Sequence, residues 1–498
     1  MEELKNAPDA AGHALVGGKA LSRLLDDEFR PKSEPASAEL QQALVALAIE
    51  ALACQSPVSS DASKAIQDLV AALDRRLSRQ LDAILHHERF QQLEGAWRGL
   101  HYLVSNTESD ETLKIRFISI SKTELARTLN RYKGTAWDQS PLFRRLHEDE
   151  YGQFGGEPFG CLVGDYLFTH APEDVELLGD LARICSAAHT PFISGVSADI
   201  LQLDSWQQVH SQRSAVTQFV RPEYARWRGL RESDDSRYIG LAMPRFLARE
   251  PYGEKSVAVE EFAFEEDTAG GEQALYTWCN AAYALAVCIT RSFKLYGWCA
   301  RIRGIESGGA VEGLPVHRHT TSTGQSELVG PVEIEINDRL EAQIAAAGFM
   351  SLQHRKGSDF AAFVSACSLH MPATYGDAEA SANAKLAIGL PYLFACCRFA
   401  QYLKCHFRDR IGSFMQREEA QRLLNEWIQN YVDGDPGNSS ELARASKPLA
   451  AAEIQITDVE GNPGYYSARF FLRPHYQLDP LTSSLRLVSR LPSGKALT

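Results

Sequence analysis

The chain has 498 residues, of which 44% are hydrophobic and 23% are charged, and its formal net charge is −13. This length exceeds what a single hydrophobic core usually serves, so we expect a folded chain of two or three units. The acidic balance opposes binding to phosphate backbones and anionic lipid surfaces, which argues against a nucleic-acid partner. We find neither a secretory signal nor a long uninterrupted apolar run, and we therefore expect no direct membrane insertion.

Residues 1–60 contain one short amphipathic segment between a glycine pair and two prolines. A helix of this length is marginal alone in water, so it needs a docking site. That site is either elsewhere in the protein or in a groove of a partner, and the sequence leaves both open. Four apolar residues would share one helical face: Leu21, Leu24, Leu25 and Phe29.

From residue 61 to 104 the apolar residues recur at spacings of three and four, which predicts helix. Within "RFQQLEGAWRGLHYLV" we expect this face to be a packing seam of a core helix. Gly95 and Gly99 lie on another face, where a neighbouring backbone could approach closely. The seam consists of Phe90, Leu93, Trp97 and Leu100, with Val104 continuing the pattern.

The middle of the chain predicts an α/β region with a parallel strand, helix, strand unit. Residues 158–168 and 191–196 are apolar runs, and the helix between them opens with Pro172 and acidic residues. The first turn of this unit has no glycine-rich phosphate loop, which argues against nucleotide binding. Farther on, we predict a long buried helix from Ala274 to Trp298 and a second helical block broken or kinked at Pro391.

The C-terminus changes to short alternating segments, which predict three strands. Few elements follow to cover them, so their hydrogen-bonding edges must be blocked or filled, and another chain could fill them. The residues predicted to share strand faces are Ile454 and Ile456, then Tyr466, Ala468, Phe470 and Leu472, then Leu485 and Leu487.

The sequence offers little catalytic chemistry. His317 and His319 could begin a metal site, but no carboxylate or further histidine at a suitable spacing completes it. Cys396 and Cys397 are adjacent in an apolar helix, which is more typical of buried thiols than of a redox pair. We therefore expect no catalytic residue, no metal and no cofactor. The alternative is a soluble α/β enzyme of unknown substrate, suggested by the strand, helix, strand unit.

Seven segments in a fixed order resemble the large subunit of the type VI secretion contractile sheath, the TssC or VipB family. Together they extend over roughly residues 77–492, which is most of the chain. They are "RFQQLEGAWRGLHYLV", "PEDVELLGDLARICSAAHTPFIS", "LRESDDSRYIGLAMPRFLAREPYG", "WCNAAYALAVCITRSFKLYGWCARIRGIESGGAVEGLPVH", "SANAKLAIGLPYLFACCRFAQYLK", "RDRIGSFM" and "PLAAAEIQITDVEGNPGYYSARFFLRPHYQLDPLTSSLRLVSRLP".

The resemblance implies a structural subunit without an active site, located in the bacterial cytoplasm at an inner-membrane-anchored baseplate. Its implied partners are a small sheath subunit of the TssB or VipA type, other copies of itself in a six-start helical sheath, an inner tube of the Hcp type, the baseplate, and a ClpV-type AAA+ unfoldase. The unfoldase would grip the N-terminal helix, and the C-terminal strands would be shared with neighbouring chains.

The implied fold is a multi-domain α/β (α+β) chain with a mixed sheet core, flanking helices and C-terminal strands completed by neighbours. We expect an N-terminal segment over residues 1–60, a sheath core domain over 61–375 and a C-terminal sheath domain over 376–498.

Overall fold

The structure, a computed structural model, describes most of the chain from residue 62 onward. The described ranges are 62–153, 155–211, 216–254, 256–260, 262–268, 272–320, 326–358, 360–373, 375–409, 417–435, 437–458 and 466–475. They divide into two compact units. Residues up to 83 with 258–265 form one, and residues 84–257 with the chain from 266 onward form the other. The domain boundary predicted after residue 375 stays a prediction.

Helices and strands alternate through much of the described chain, and the 3-10 and π turns and the three-residue α-helical turns are not numbered. The helices are α1 Ala62–Leu85, α2 Glu88–Ser105, α3 Lys122–Asn130, α4 Pro172–Ala188, α5 Ala225–Glu232, α6 Ala281–Tyr296, α7 Asp338–Ala346, α8 Ala378–Ala387, α9 Leu390–Asp409, α10 Arg417–Gln429 and α11 Glu441–Ser446. The strands are β1 Leu162–Phe168, β2 Phe192–Val196, β3 Ile239–Met243, β4 Phe246–Leu247, β5 Trp278–Cys279, β6 Ala310–Val311, β7 His317–Thr320, β8 Ser326–Val329, β9 Phe349–His354, β10 Ala361–Phe363, β11 Leu449–Asp458 and β12 Tyr466–Pro474.

A six-stranded mixed sheet forms the centre of the larger unit, in the order β1-β2-β3-β9-β10-β6. The first four strands are parallel, and β10 pairs antiparallel with both β9 and β6. The predicted strand, helix, strand unit is confirmed as β1, α4 and β2, with β1 and β2 parallel. The predicted mixed α/β fold is thus confirmed.

Both faces of this sheet are buried, and successive residues of each strand contribute to opposite faces. Phe192 and Leu241 join a core with the apolar side of α4, whereas Ile193 and Ala242 join a second core with α6 and the start of α9. Such two-sided burial explains why these strands read as continuous apolar runs rather than as an alternation of apolar and polar residues.

The buried central helix is shorter than predicted. Instead of beginning at Ala274, α6 begins at Ala281, because the Asn280 side chain accepts a hydrogen bond from the Ala282 backbone N–H at 3.0 Å and caps it. Gly297, with φ of 76°, ends it. Within the described residues, no helix has the length and apolar character needed to cross a membrane. At Pro391 the helical block is broken as predicted, since α9 begins one residue before it.

The segment 88–105 is helical as predicted, but the buried face of α2 is not the predicted one. Its buried residues are Gly95, Gly99 and Leu103. Three residues of the predicted packing seam are instead exposed, by 37% for Phe90, 56% for Leu93 and 58% for Trp97, and Val104 is exposed as well. Leu100 is half-buried and packs against the core. The expectation that this face packs into the core of its own chain is therefore wrong.

Close backbone packing explains the reversal. A Cβ on Gly95 would lie 2.5 Å from the Trp278 carbonyl oxygen, and one on Gly99 would lie 2.4 Å from the Tyr283 ring. Real Cβ atoms do not approach that closely, so only glycine lets the helix sit directly on β5 and α6. The glycine face is thus the side by which α2 attaches to the larger unit.

Ionic contacts reinforce this attachment. The Arg249 guanidinium is buried and contacts the carboxylates of Glu94 on α2 and Glu266, at 2.7 and 2.5 Å. Glu94 also accepts hydrogen bonds from Arg98 and Thr277. Burial acts to raise the pKa of the Glu94 carboxyl, but the hydrogen bonds and charges of its partners outweigh burial, and the net pKa is lowered.

Candidate functional site

The C-terminal hairpin consists of β11 and β12. The sequence predicts that the edges of these strands could pair with another chain. The two strands pair antiparallel over their length, with Ile454 opposite Phe470 and Ile456 opposite Ala468. Ile454, Ile456 and Leu472 are buried in an apolar cluster with α9 and α10. One face of the hairpin therefore packs against α9 and α10. The backbone groups along its two long edges determine which further strand it can bind.

Side chains of α10 cover the outer edge of β11. The Asn425 amide donates to the Ile454 carbonyl at 2.8 Å and accepts from the Ile454 N–H at 2.9 Å. Gln421 accepts from the Ile456 N–H at 3.1 Å, and Gln429 donates to the Ala452 carbonyl at 3.1 Å. These three amides are four residues apart and form a row along one helix, which we call the amide row. It replaces a neighbouring strand, so this edge is closed.

The pairing pattern shows which groups β12 presents at its own outer edge. In an antiparallel pair, opposed residues either bond to each other or both point away. Because the backbone of Ile454 bonds to α10, its opposite residue Phe470 also points away from β11. The same holds for Ala468 and Leu472, opposite Ile456 and Ala452. Among the described residues, no group pairs with the outward N–H and C=O of these three.

The exposed side chains next to this open edge are aromatic. Phe470 is 42% exposed and Phe471 is 61% exposed, on opposite faces of β12. An open edge flanked by large apolar side chains is a template for a further strand, which would satisfy the backbone and cover the rings. The site can thus bind an extended polypeptide, and it offers no group for bond making or breaking.

The predicted interchain residues fall into four groups. Ile454, Ile456 and Leu472 form the apolar face that fixes the hairpin, and Ala468 and Phe470 belong to the open edge of β12. Tyr466 is opposite Asp458 at the start of the strand. Leu485 and Leu487, and the predicted unfoldase-binding residues Leu21, Leu24, Leu25 and Phe29, lie outside the described residues.

Sequence reasoning missed the amide row. Its signal is present, since Gln421, Asn425 and Gln429 recur at intervals of four in a helix beside the alternating strand. Polar residues at this spacing are usually assigned to solvent, however, because helix periodicity does not show which neighbour the polar side meets.

The residues considered for chemistry have structural partners. His317 Nδ1 lies 2.9 Å from the Tyr276 hydroxyl. Burial raises the pKa of the Cys396 thiol to about 11 and that of Cys397 well above its usual value, which favours the protonated thiol over the nucleophilic thiolate in both. In the part of the chain that the structure describes, no three side chains of His, Cys, Asp or Glu are arranged to hold a metal ion.

An unpaired strand edge is a template for pairing with another chain, which is a property that an assembly subunit can use. Comparison with known proteins gives the class. The family model described as EvpB/VC_A0108, tail sheath N-terminal domain, matches residues 67–370, and that described as EvpB/VC_A0108, tail sheath gpW/gp25-like domain, matches residues 379–491. The chain belongs to this tail sheath family, and the resemblance to TssC and VipB is confirmed.

A curated relative agrees with this assignment. The type VI secretion system sheath protein TssC1 of Pseudomonas aeruginosa strain PAO1 is 60% identical over 472 residues, covering 95% of each chain. The family is one of structural contractile-sheath proteins, so the chain is a sheath subunit and not an enzyme.

Solved structures of contractile systems are more distant. The anti-feeding prophage baseplate, 6-fold symmetrised, matches with a TM-score of 0.38 and 8% identity over 75% of this chain and 83% of that chain. The anti-feeding prophage helical sheath in its contracted state matches with a TM-score of 0.32 and 10% identity over 79% and 86%. These TM-scores are too low to support an assignment of fold or function.

Proposed function

We propose that this subunit pairs with a small sheath subunit of the TssB or VipA type and that the pairs polymerise into a six-start helical sheath. The sheath surrounds an inner tube of the Hcp type, in the cytoplasm, on a baseplate anchored at the inner membrane. The observation that carries this proposal is the hairpin with one edge closed by the amide row and the other open. A subunit that accepts a strand at one edge only makes a directional, non-closing contact, as an open helical array requires.

Contraction would then be a collective change of packing. Each subunit moves from a metastable to a lower-energy arrangement, while the strand pairing at β12 keeps neighbouring subunits connected. Backbone pairing suits this role because neighbouring strands remain paired over a range of twist angles. The energy of the stroke is stored during assembly, so this subunit needs no catalytic site.

The test is co-expression with the small subunit and electron microscopy of the product. Wild-type chains should give tubes. Phe470→Pro removes an outward N–H of β12 and should abolish tubes while leaving the two subunits paired. Phe470→Ala is the matched control, since it removes the ring but keeps the donor, and it should still give tubes. Normal tubes from the proline variant would refute strand sharing at this edge.

The recycling step concerns the N-terminal segment. We propose that a ClpV-type unfoldase grips the face formed by Leu21, Leu24, Leu25 and Phe29. Leu24→Asp should then abolish binding of the unfoldase to contracted tubes and leave assembly unchanged, and Lys19→Asp is the control for a charge change off that face. Equal binding of the unfoldase by wild type and Leu24→Asp would contradict this assignment.

A further inference from the structure

Helix α9 connects the two regions that the family models match, since it lies in the second region and contacts the backbone of the first. The Gln401 side chain on α9 is buried, and its amide donates to the Phe159 carbonyl at 2.8 Å and to the His189 carbonyl at 2.9 Å. Phe399 and Leu403 of the same helix pack in the apolar cluster that holds the C-terminal hairpin. The position of the hairpin therefore depends on how α9 is held on the first region.

Two cationic side chains extend this contact along α9. Arg408 donates to the backbone carbonyls of Glu150 and Gln153 at 3.1 and 2.8 Å. The Lys404 ammonium lies over the Tyr151 ring, 5.1 Å from its centroid. No carboxylate among the described residues lies within ion-pair distance of Lys404, and burial lowers the pKa of its ammonium. What we call the α9 contact is made by Gln401, Lys404 and Arg408.

Two histidines lie at the α9 contact. His147 is in a five-residue π-helical turn, and its ring lies between those of Phe143 and Tyr151, with centroids 4.9 and 4.7 Å away. His189 ends α4 with a φ of 51°, in the left-handed region. Both residues are half-buried, and each is close enough to the Lys404 ammonium for their charges to interact. Protons on these two rings would therefore gather positive charge at one place.

The surroundings of both histidines favour the neutral ring. Burial is the largest cause that lowers their pKa values, and the Lys404 charge is the next. The pKa of His189 is lowered to about 4, and a charge on His147 contributes to this shift. Glu148 raises the pKa of His147 but does not outweigh the other causes. The other titratable or charged groups that face this contact are Glu150, which pairs with Arg116, and Tyr151, Cys397, Cys405 and Arg398.

We propose that the α9 contact is an acid-sensitive latch, which opens when His147 and His189 bind protons. Two histidinium rings and Lys404 would then place three positive charges in one half-buried contact, where like charges repel. The hydrogen bonds of Gln401 and Arg408 would be lost with the contact. Helix α9 and the hairpin packed on it would separate from the first region, while the central sheet stays folded. This inference goes beyond strand sharing and does not depend on it, since every residue of the latch belongs to one chain.

The sign and the range of the pH dependence follow from the lowered pKa values. A histidine with a lower pKa in the folded chain contributes stability above its ordinary pKa, and this contribution is lost as pH falls toward the folded value. For His189 this window lies between 6.5 and about 4. Each pH unit within the window corresponds to about a factor of ten in the opening equilibrium. At pH 5 the α9 contact should therefore be open at least about tenfold more often than at pH 7.5.

The test is amide hydrogen exchange of the full-length chain at pH 7.5 and pH 5, with each rate divided by that of an unfolded peptide at the same pH. In the wild type, the protection of the α9 amides should fall at least about tenfold at pH 5, whereas that of β3 at the centre of the sheet should stay the same. Equal protection of α9 at both pH values would overturn the latch. An equal fall in β3 would indicate general acid unfolding and would overturn it as well.

Variants without titratable rings separate the two histidines from other effects of acid. His147→Phe keeps an aromatic ring between its neighbours, and His189→Asn places a residue that tolerates the left-handed conformation. The double variant should keep the protection of α9 at pH 5. The matched control is His101→Asn, on the exposed side of α2, which should lose protection as the wild type does. The same loss in the double variant and the wild type would refute the role of the two histidines.

A second substitution leaves both histidines in place. Lys404→Met removes the neighbouring charge and keeps a long side chain, so it should make the loss of α9 protection at pH 5 smaller than in the wild type. The control Lys385→Met removes an exposed charge on α8 and should change nothing. If Lys404→Met and the wild type lost protection equally, charge repulsion would not be what opens the contact.

Discussion

Replacing Asn425 by leucine tests the amide row directly. Leucine fits a helix, but it cannot serve the Ile454 N–H and carbonyl, which Asn425 contacts at 2.9 and 2.8 Å. Leaving a buried backbone group unpaired costs about 1–3 kcal/mol. Water can partly reach this half-buried edge, so leaving both groups unpaired should destabilise the edge by about 2–4 kcal/mol in total.

Amide hydrogen exchange of the co-expressed complex is the assay. In Asn425→Leu the amides of β11 should exchange faster by roughly two orders of magnitude, since 1.4 kcal/mol corresponds to a factor of ten. Glu426→Leu, one residue along on the exposed side of α10, is the control and should leave β11 unchanged. If the Ile454 amide exchanged equally in wild type and Asn425→Leu, the amide row would not stabilise this edge.

Two further predictions concern the attachment of α2. Gly99→Ala places a methyl group against the Tyr283 ring and should lower the free energy of unfolding by about 1–3 kcal/mol. The control is Gly229→Ala, because a Cβ at Gly229 would meet nothing within 4 Å. In thermal unfolding this control should be neutral or slightly stabilising. Equal melting temperatures would contradict the close approach. Since the pKa of Glu94 is lowered in the folded chain, its contribution is present above the ordinary pKa of a glutamate and is lost as pH falls through the lower folded value. The Glu94→Gln variant should therefore be less stable than the wild type at neutral pH and should lose less stability on acidification. Parallel curves of stability against pH for the two chains between pH 7 and pH 3 would refute the role of Arg249.

The sequence predicts those parts of the fold that local patterns encode. The alternation of Ile454 and Ile456 predicts a strand, and Pro172 marks the start of α4. The orientation of α2 was not predictable in this way. Its apolar stripe has the spacing of a core face, but the direction in which the helix packs depends on Trp278 and Tyr283, which are more than 170 residues away. An apolar helix face indicates that something covers it, and not which chain does so.

The same limit applies to the candidate site. Alternating residues predict that β12 exists. Which edge of the hairpin is open depends on hydrogen bonds from α10 to β11, and these join residues about 30 positions apart in the chain. Hydrophobic periodicity carries no information on side-chain amides that bond to a strand. Tertiary structure was needed to tell the closed edge from the open one.

The amide row also limits how wide a shared sheet can become. A hairpin with two bare margins could add strands on both sides without end, as fibrous aggregates do. Here the helix terminates one margin, so any sheet built through this hairpin has a fixed last strand. If subunits share strands as proposed, this terminated margin keeps the polymer from fusing sideways with its neighbours in a crowded cell.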